Sequence, residues 1–147
     1  MPDNLKSYFV IAAKRCPDVL TPWGLAAQAY VESGFDPDAT SAAGAEGLMQ
    51  IIPDVWSEYG TDATGNGTAN PFSAADSIAT SAKYSCELAK GVRNIPGNKT
   101  KLRLAAYNAG LGAVQRYNGI PPYRETRGYV SHITELTPQL KSQFSQN

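Results

Sequence analysis

Glu32 is the residue of this 147-residue chain that is best placed to do chemistry, because it ends a helix predicted from Pro22 onward. The apolar residues of that helix recur at helical spacing and predict one buried stripe: Trp23, Ala26, Ala27, Tyr30 and Val31. Gly34 follows as a helix stop signal. The carboxyl group would lie at the negative end of the helix dipole, beside an apolar wall, and both effects raise its pKa. A glutamic acid that stays protonated near neutral pH can serve as a general acid.

Three polar clusters in the chain are surrounded by glycine and alanine, which let a ligand or another backbone approach closely. They lie at residues 32–34, 41–51 and 105–110. Gln50 and Asn108 carry both a donor and an acceptor, which suits hydroxyl and acetamido groups. Tyr107 adds a flat apolar face with a hydroxyl tip. This inventory favours a sugar chain over a phosphate or a metal as the ligand.

The elements that must position these residues are predicted to be mostly helical. The predicted helices span residues 3–16, 22–32, 53–59, 71–92, 100–109, 111–118 and from about 126 to 140, with 71–92 the longest. Residues 60–69 read as a flexible loop, because they are rich in glycine and small polar residues. We therefore expect a mostly α fold, a single domain over residues 1–147 with a cleft, and at most a small β element near residues 41–52.

Composition excludes several classes of protein. Hydrophobic residues make up 42% and charged residues 18% of the chain, which is typical of a globular domain. The formal net charge is zero, so there is no electrostatic case for nucleic acid or an anionic membrane as partner. No apolar run approaches the roughly 18 residues of a membrane span. The first residues lack the features of a signal peptide, and we expect none in this chain.

The metal-ligating residue types are sparse and give no predicted metal site or cofactor. Cys16 and Cys86 have no close-spaced partners, and His132 is the single histidine. The two cysteines fit either a disulfide or two small buried side chains. Residues 62–67 imitate the opening of a calcium loop, but the twelfth position, where a bidentate glutamate is needed, is Ser73.

Four motifs stand in an order and spacing that resembles a known family. They are Glu32-Ser33, then Ser41-x-x-Gly44-Ala45-x-Gly47-Leu48-Met49-Gln50-Ile51, then Ala106-Tyr107-Asn108-Ala109-Gly110, then Glu125-Thr126-Arg127-x-Tyr129-Val130. Together they resemble the catalytic domain of soluble lytic transglycosylases, a family related in fold to goose-type lysozyme. The resemblance covers about residues 20–135 and implies a lysozyme-like fold.

The resemblance also implies roles for individual residues. Glu32 would be the sole catalytic acid and base, and the substrate-binding residues would be Ser41, Met49, Gln50, Tyr107, Asn108, Glu125 and Tyr129. For four of these the residues alone leave a structural alternative open. Gln50 and Asn108 could bond loop backbone, Tyr107 could be core packing, and Glu125 could favour the start of the last helix through its dipole.

The activity that the resemblance implies is cleavage of the β-1,4 bond between N-acetylmuramic acid and N-acetylglucosamine in peptidoglycan, leaving 1,6-anhydro ends. A hydrolytic muramidase of the same fold is the first alternative. It would need a positioned water and a second carboxylate, for which Asp36, Asp38 or Glu46 are nearest in sequence. The second alternative is a wall-binding structural module of a virion or secretion apparatus.

The expected biological setting follows from the implied substrate. We expect a monomer that acts on the bacterial cell wall, in the periplasm or outside the cell. Because no leader is visible at the N-terminus, the sequence favours delivery by a phage or virion.

Overall fold

Seven α-helices and one short 3₁₀ helix provide the regular structure of residues 1–145, which are the residues that the computed structural model describes. After the 3₁₀ helix Asp3–Leu5 come α1 Lys6–Ala13, α2 Pro22–Ser33, α3 Pro53–Tyr59, α4 Ala74–Gly91, α5 Lys99–Ala109, α6 Leu111–Tyr117 and α7 Arg124–Ser145. Isolated antiparallel bridges pair Glu46 with Thr40 and with Ile51. The predicted mostly α class with a small β element is confirmed.

Helix α2 begins and ends where its sequence signals predict. The Thr21 side chain accepts a hydrogen bond of 3.0 Å from the Gly24 backbone N–H, and Pro22 occupies the first turn. At the other end, Gly34 is left-handed (φ 64°), and its N–H donates to the Tyr30 carbonyl at 2.8 Å. These caps fix the last turn of α2, which is the turn that carries Glu32.

Small residues let the neighbouring helices approach α2 closely. Ala26, Ala27 and Ala29 have no exposed surface, and α2 packs against α1 and, most extensively, α7. Tyr30 is an exception to the predicted buried stripe, because 48% of its surface is exposed. The prediction was wrong for this residue because the neighbouring helices cover residues 25–29 but not Tyr30. The Tyr30 ring instead packs against that of Phe35, with 5.7 Å between the ring centroids.

Several predicted helix boundaries need correction. The first helix is split and ends at Ala13, and α4 begins only at Ala74, because the Ser73 hydroxyl caps it by accepting from the Asp76 N–H at 3.3 Å. Helix α7, with 22 residues, exceeds the 18 of α4 and is the longest described. It continues beyond residue 140 even though Pro138 lies inside it. The Phe144 ring, which packs edge-on against Phe9 and Trp23, gives this last stretch a tertiary contact that favours helix.

Cys16 and Cys86 form a disulfide, which decides between the two readings that the sequence left open. Their Cα atoms are 6.1 Å apart, and 70 positions separate them in the chain. The bond joins the segment after α1 to the C-terminal half of α4.

The segment between α3 and α4, predicted to be flexible, is hydrogen-bonded to α4. Asp76 is fully buried, and its carboxylate accepts from the backbone N–H of Ala63 at 2.8 Å and of Asn70 at 3.0 Å. The Asp62 carboxylate accepts from backbone amides of its own loop, including that of Gly67 at 2.7 Å. Within residues 1–145 no cluster of three or more His, Cys, Asp or Glu side chains could hold a metal. Nor, in the same residues, does any helix combine the length and apolar character that crossing a bilayer requires.

Candidate active site

Glu32 lies in the last turn of α2 and is largely buried. Its Oε2 atom accepts a hydrogen bond of 2.8 Å from the Tyr129 hydroxyl. Burial raises the pKa of the Glu32 carboxyl from 4.5 to about 7, the charge of Glu125 adds to the rise, and the Tyr129 hydrogen bond opposes it. The rise in the pKa of Glu32 agrees in direction with the sequence-based expectation. Of the two causes expected there, the helix dipole and the apolar surroundings, it is burial that has the largest effect. The group is therefore substantially protonated at neutral pH.

Tyr129 reaches Glu32 because α2 packs against α7. The two residues are 97 positions apart in sequence, and Tyr129 is only 7% exposed. Burial and the nearby Glu32 charge hold the pKa of the Tyr129 phenol well above its usual range. The phenol is therefore protonated near neutral pH and donates its hydrogen bond to the carboxyl group.

Replacing Tyr129 with phenylalanine should raise the pKa of Glu32 further. The hydrogen bond favours the carboxylate, so its loss makes the proton harder to remove. We expect the midpoint of the Glu32 titration to move above about 7, as measured by ¹³C NMR of the Glu32 Cδ resonance. Tyr84→Phe is the matched control. Tyr84 is also a partly buried tyrosine, packed against Tyr59 and Tyr107, but it is not among the groups that shift the pKa of Glu32. An unchanged midpoint in Tyr129→Phe would show that the bond has no electrostatic role.

Ser33 is a site residue for which sequence reasoning gave no role. Its hydroxyl donates to the Leu48 carbonyl at 2.7 Å and accepts from the Asp36 N–H at 3.1 Å. It thereby joins the end of α2, at the residue after Glu32, to residues 47–50. Its position next to Glu32 in a cluster of small residues was the available signal.

Residues 47–50 turn sharply, and two of them have a positive φ. Gly47 has φ 83°, and Gln50 has φ 52°, a conformation that is uncommon for a residue with a side chain. The Gln50 side-chain amide donates to the carbonyls of Ala39 at 3.1 Å and of Gly47 at 2.9 Å. These bonds support the structural alternative for the Gln50 amide nitrogen, since both its donors serve the loop.

Gly47→Ala should be among the most destabilising single changes near the site. A Cβ at this position would overlap the Pro71 carbonyl oxygen, which belongs to the backbone and cannot swing away, and φ is unfavourable for alanine as well. We expect the free energy of unfolding to fall by about 2 kcal/mol or more, measured by urea denaturation. Gly128→Ala, where nothing lies within 4 Å of the added carbon, is the control. Equal stability of the two variants would contradict the prediction.

Tyr107 and Asn108 lie at the end of α5, and their side chains bond to the turn at residues 47–50, to α4 and to α7. The Tyr107 hydroxyl donates to the Met49 carbonyl at 3.0 Å and lies 3.2 Å from the Ser81 hydroxyl. Burial, followed by the Glu32 charge, raises the pKa of Tyr107, so the ring stands close enough to the acid to be affected by it. The Asn108 Oδ1 atom accepts from the Thr126 hydroxyl at 2.8 Å. These bonds tie α5 to the turn at residues 47–50 and to α7.

A cavity of about 240 Å³, which we call the cleft cavity, lies between α3, α4 and the end of α5, and Glu32 is not among its lining residues. It is lined by Gln50, Ile51, Ile52, Val55, Tyr84, Tyr107, Asn108, Ala109 and Gly110. Three of the predicted substrate-binding residues therefore share one cavity. Glu125, by contrast, is exposed at the start of α7, and its charge reaches Glu32.

The structure gives Ser41 and Met49 backbone-bonding and core positions. The Ser41 hydroxyl accepts from the Ala45 N–H at 3.0 Å and closes the turn between them. Met49 has no exposed surface, so its side chain belongs to the core, while its N–H donates to the Ser77 hydroxyl at 3.1 Å. Their predicted contact with a glycan stays a prediction, and for Met49 it would require the side chain to move.

Fold and site together define a helical domain built around one glutamic acid with a raised pKa. The family model of the transglycosylase SLT domain matches residues 9–129. Membrane-bound lytic murein transglycosylase D of Escherichia coli is 30% identical over 134 residues, covering 82% of this chain and 28% of that protein. Membrane-bound lytic murein transglycosylase C of Actinobacillus pleuropneumoniae is 32% identical over 117 residues, covering 74% of this chain and 30% of the relative.

Solved structures show the same fold. An inactive glutamate-to-glutamine mutant of the lytic transglycosylase Slt from Pseudomonas aeruginosa has a TM-score of 0.74 at 24% identity, covering 95% of this chain and 24% of that one. The 70-kDa soluble lytic transglycosylase of Escherichia coli has a TM-score of 0.68 at 23% identity, covering 90% of this chain and 24% of that one.

The chain belongs to the transglycosylase SLT domain family, and the lysozyme-like fold expected from the resemblance is confirmed. It spans less than a third of the length of the curated relatives that it matches.

Proposed function

We propose that the protein is a peptidoglycan lytic transglycosylase that cleaves the bond between N-acetylmuramic acid and N-acetylglucosamine. The observation that carries the proposal is Glu32, largely buried, with a pKa of about 7 and a hydrogen bond from Tyr129. Membership of the SLT family supports it, as does the inactive mutant of the Pseudomonas relative, in which a glutamate is replaced.

In the first step, protonated Glu32 donates its proton to the oxygen that bridges the two sugars. A pKa of about 7 suits this task, because the acid holds its proton near neutral pH and yet releases it readily. The Tyr129 hydroxyl fixes the direction of the carboxyl group and stabilises the carboxylate left after the transfer. As the bond breaks, positive charge develops at the muramyl anomeric carbon.

In the second step, the same carboxylate acts as a base. Ionised Glu32 takes the proton of the muramyl 6-hydroxyl, whose oxygen then closes on the anomeric carbon. The substrate's own acetamido oxygen would stabilise the positive charge in between. Proton loss and gain balance at Glu32, no water is consumed, and the product carries a 1,6-anhydro ring.

One observation favours a hydrolytic muramidase as the second candidate. Such an enzyme needs another carboxylate near the acid, and Glu125 lies close enough for its charge to raise the pKa of Glu32. Glu125 is therefore a better placed candidate for the second carboxylate than Asp36, Asp38 or Glu46, which were the nearest candidates in sequence. It is exposed, however, and could instead contact a peptide stem.

Mass spectrometry of the muropeptides released from purified peptidoglycan tests the proposal. The transglycosylase reaction gives products that lack a reducing end and are lighter by one water than hydrolysed fragments. Products with ordinary reducing ends would reject the first mechanism, and their loss in Glu125→Gln would assign the second carboxylate. Binding to peptidoglycan without any turnover would favour a structural module.

Activity should decline as pH rises through the Glu32 pKa. The first step needs the protonated acid, and its protonated fraction falls above about 7. We therefore expect the rate of peptidoglycan clearing, followed by turbidity, to drop about tenfold per pH unit well above that midpoint. A rate that stays constant up to pH 9 would contradict the assignment of Glu32 as the acid.

The remaining parts of the proposal concern the setting. Glycan strands of peptidoglycan are the proposed partner, and the bacterial cell wall is the proposed place of action. We also propose that the domain works as a monomer, because one chain supplies the acid, the tyrosine that holds it and the cleft walls. Light scattering in solution would test this.

A further inference from the structure

A second cavity, of about 940 Å³, lies beside the disulfide, between α4, α5, the end of α3 and the segment after α1. Neither Glu32 nor any proposed substrate-binding residue lines it. Its charged lining residues are six basic ones, Arg15, Lys83, Lys90, Arg93, Lys99 and Arg103, and three acidic ones, Asp18, Glu58 and Glu87. Because the whole chain has a net charge of zero, this local excess of positive charge is a distinct feature of the surface.

The innermost of these basic residues is Arg103 of α5. It is 6% exposed, and its Nε and Nη1 atoms are fully enclosed without a hydrogen-bond partner among the described residues. A guanidinium stays charged in proteins and presents five N–H donors. Enclosing such a cation with unpaired donors is unfavourable, so a rotation of the side chain that brings these donors to an acceptor in the cavity would be favoured.

The basic residues at the rim divide into engaged and available ones. Lys90 pairs with Glu87 at 3.0 Å, and the Lys99 ammonium donates to the Ile95 carbonyl. The side chains of Arg15, Lys83 and Arg93 make no hydrogen bond or ion pair with the residues described, so their charges are available to a ligand.

The chemistry of this lining points to one class of ligand. A guanidinium fork matches the two oxygens of a carboxylate or a phosphate, and lysine adds a point charge. The acidic residues in the same lining would repel a long polyanion, so the ligand must be compact. We propose that this cavity binds a small molecule carrying a phosphate or carboxylate group, with Arg103 as the innermost contact.

NMR of the intact, disulfide-bonded protein tests this site without relying on any enzymatic activity. The Arg103 Nε–Hε resonance would be followed while pyrophosphate or citrate is added at constant ionic strength, with sodium chloride as the control. A saturable shift with pyrophosphate, citrate or both supports the site and identifies the acid group. Shifts that never saturate, or that chloride reproduces, would overturn the proposal.

Two variants and a matched control make the test specific. Arg103→Met, which replaces the buried cation with an apolar chain of similar length, should weaken pyrophosphate or citrate binding by about tenfold or more, measured by calorimetry. Lys83→Ala at the rim keeps the buried arginine and should weaken binding about threefold. Arg116→Ala, on α6 away from the cavity, should bind like the unmodified protein. Unchanged affinity in Arg103→Met and Lys83→Ala would refute the assignment.

Discussion

Glu32→Gln is expected to abolish peptidoglycan cleavage while leaving the fold intact. Glutamine keeps the size of the side chain and can still accept a hydrogen bond from Tyr129, but it can neither donate nor take up the catalytic proton. Loss of general acid–base catalysis alone should lower the rate by about 10³-fold or more. The measurement is the release of soluble muropeptides, quantified by chromatography, from equal amounts of folded protein.

The same variant has a second, independent signature in its stability. In the folded protein the pKa of Glu32 is raised from 4.5 to about 7, so the native state binds more protons than the unfolded state between these values. Stability from this group is therefore complete below about pH 4.5 and is lost as pH rises toward 7, by up to about 3 kcal/mol. Glu32→Gln removes this loss, and we expect it to be more stable than the unmodified protein at pH 8 and no more stable at pH 4.

Glu135→Gln is the matched control for both signatures. Glu135 is exposed on α7, and the change removes a carboxylate of the same kind at a distance from the cleft. Its activity and its stability at both pH values should equal those of the unmodified protein. A Glu32→Gln protein that keeps its activity, or that is equally destabilised at pH 4 and pH 8, would mean that Glu32 is neither the acid nor a buried protonated group.

Local signals were sufficient to predict α2 and the position of Glu32 near its end. Thr21-Pro22 at the start and Gly34 at the end have their effect within a few residues, so the bounds of the helix can be read from the chain. The raised pKa of Glu32 could also be foreseen in direction, since an apolar stripe next to a carboxyl group implies desolvation.

Features that depend on contacts between distant residues could not be predicted in the same way. The hydrogen bond from Tyr129 to Glu32 spans 97 positions and exists because α7 lies along α2. The exposure of Tyr30 and the length of α7 could not be read from the periodic pattern either. The first depends on which residues the neighbouring helices cover, and the second on the contact of Phe144 with Phe9 and Trp23. Arg103 carried no signal at all, since nothing in its local sequence shows that it is enclosed.

Removing the disulfide is the second change with a large expected effect. In the double variant Cys16→Ala, Cys86→Ala, the unfolded chain gains conformational entropy, because the loop of 70 positions is no longer closed. The chain-entropy model gives a loss of about 4 kcal/mol in the free energy of unfolding, which is a large share of the stability of a domain this size. Urea denaturation at one temperature would measure it.

The single variants separate this entropic effect from the loss of side-chain packing. Breaking the bond from either side opens the same loop, so Cys16→Ala and Cys86→Ala should each cost nearly as much as the double variant. Two single losses that add up to the double one would instead mean that packing around each sulfur dominates. Because the bond acts on the unfolded chain, and neither sulfur lines the cleft cavity, peptidoglycan cleavage per folded molecule should persist in all three proteins.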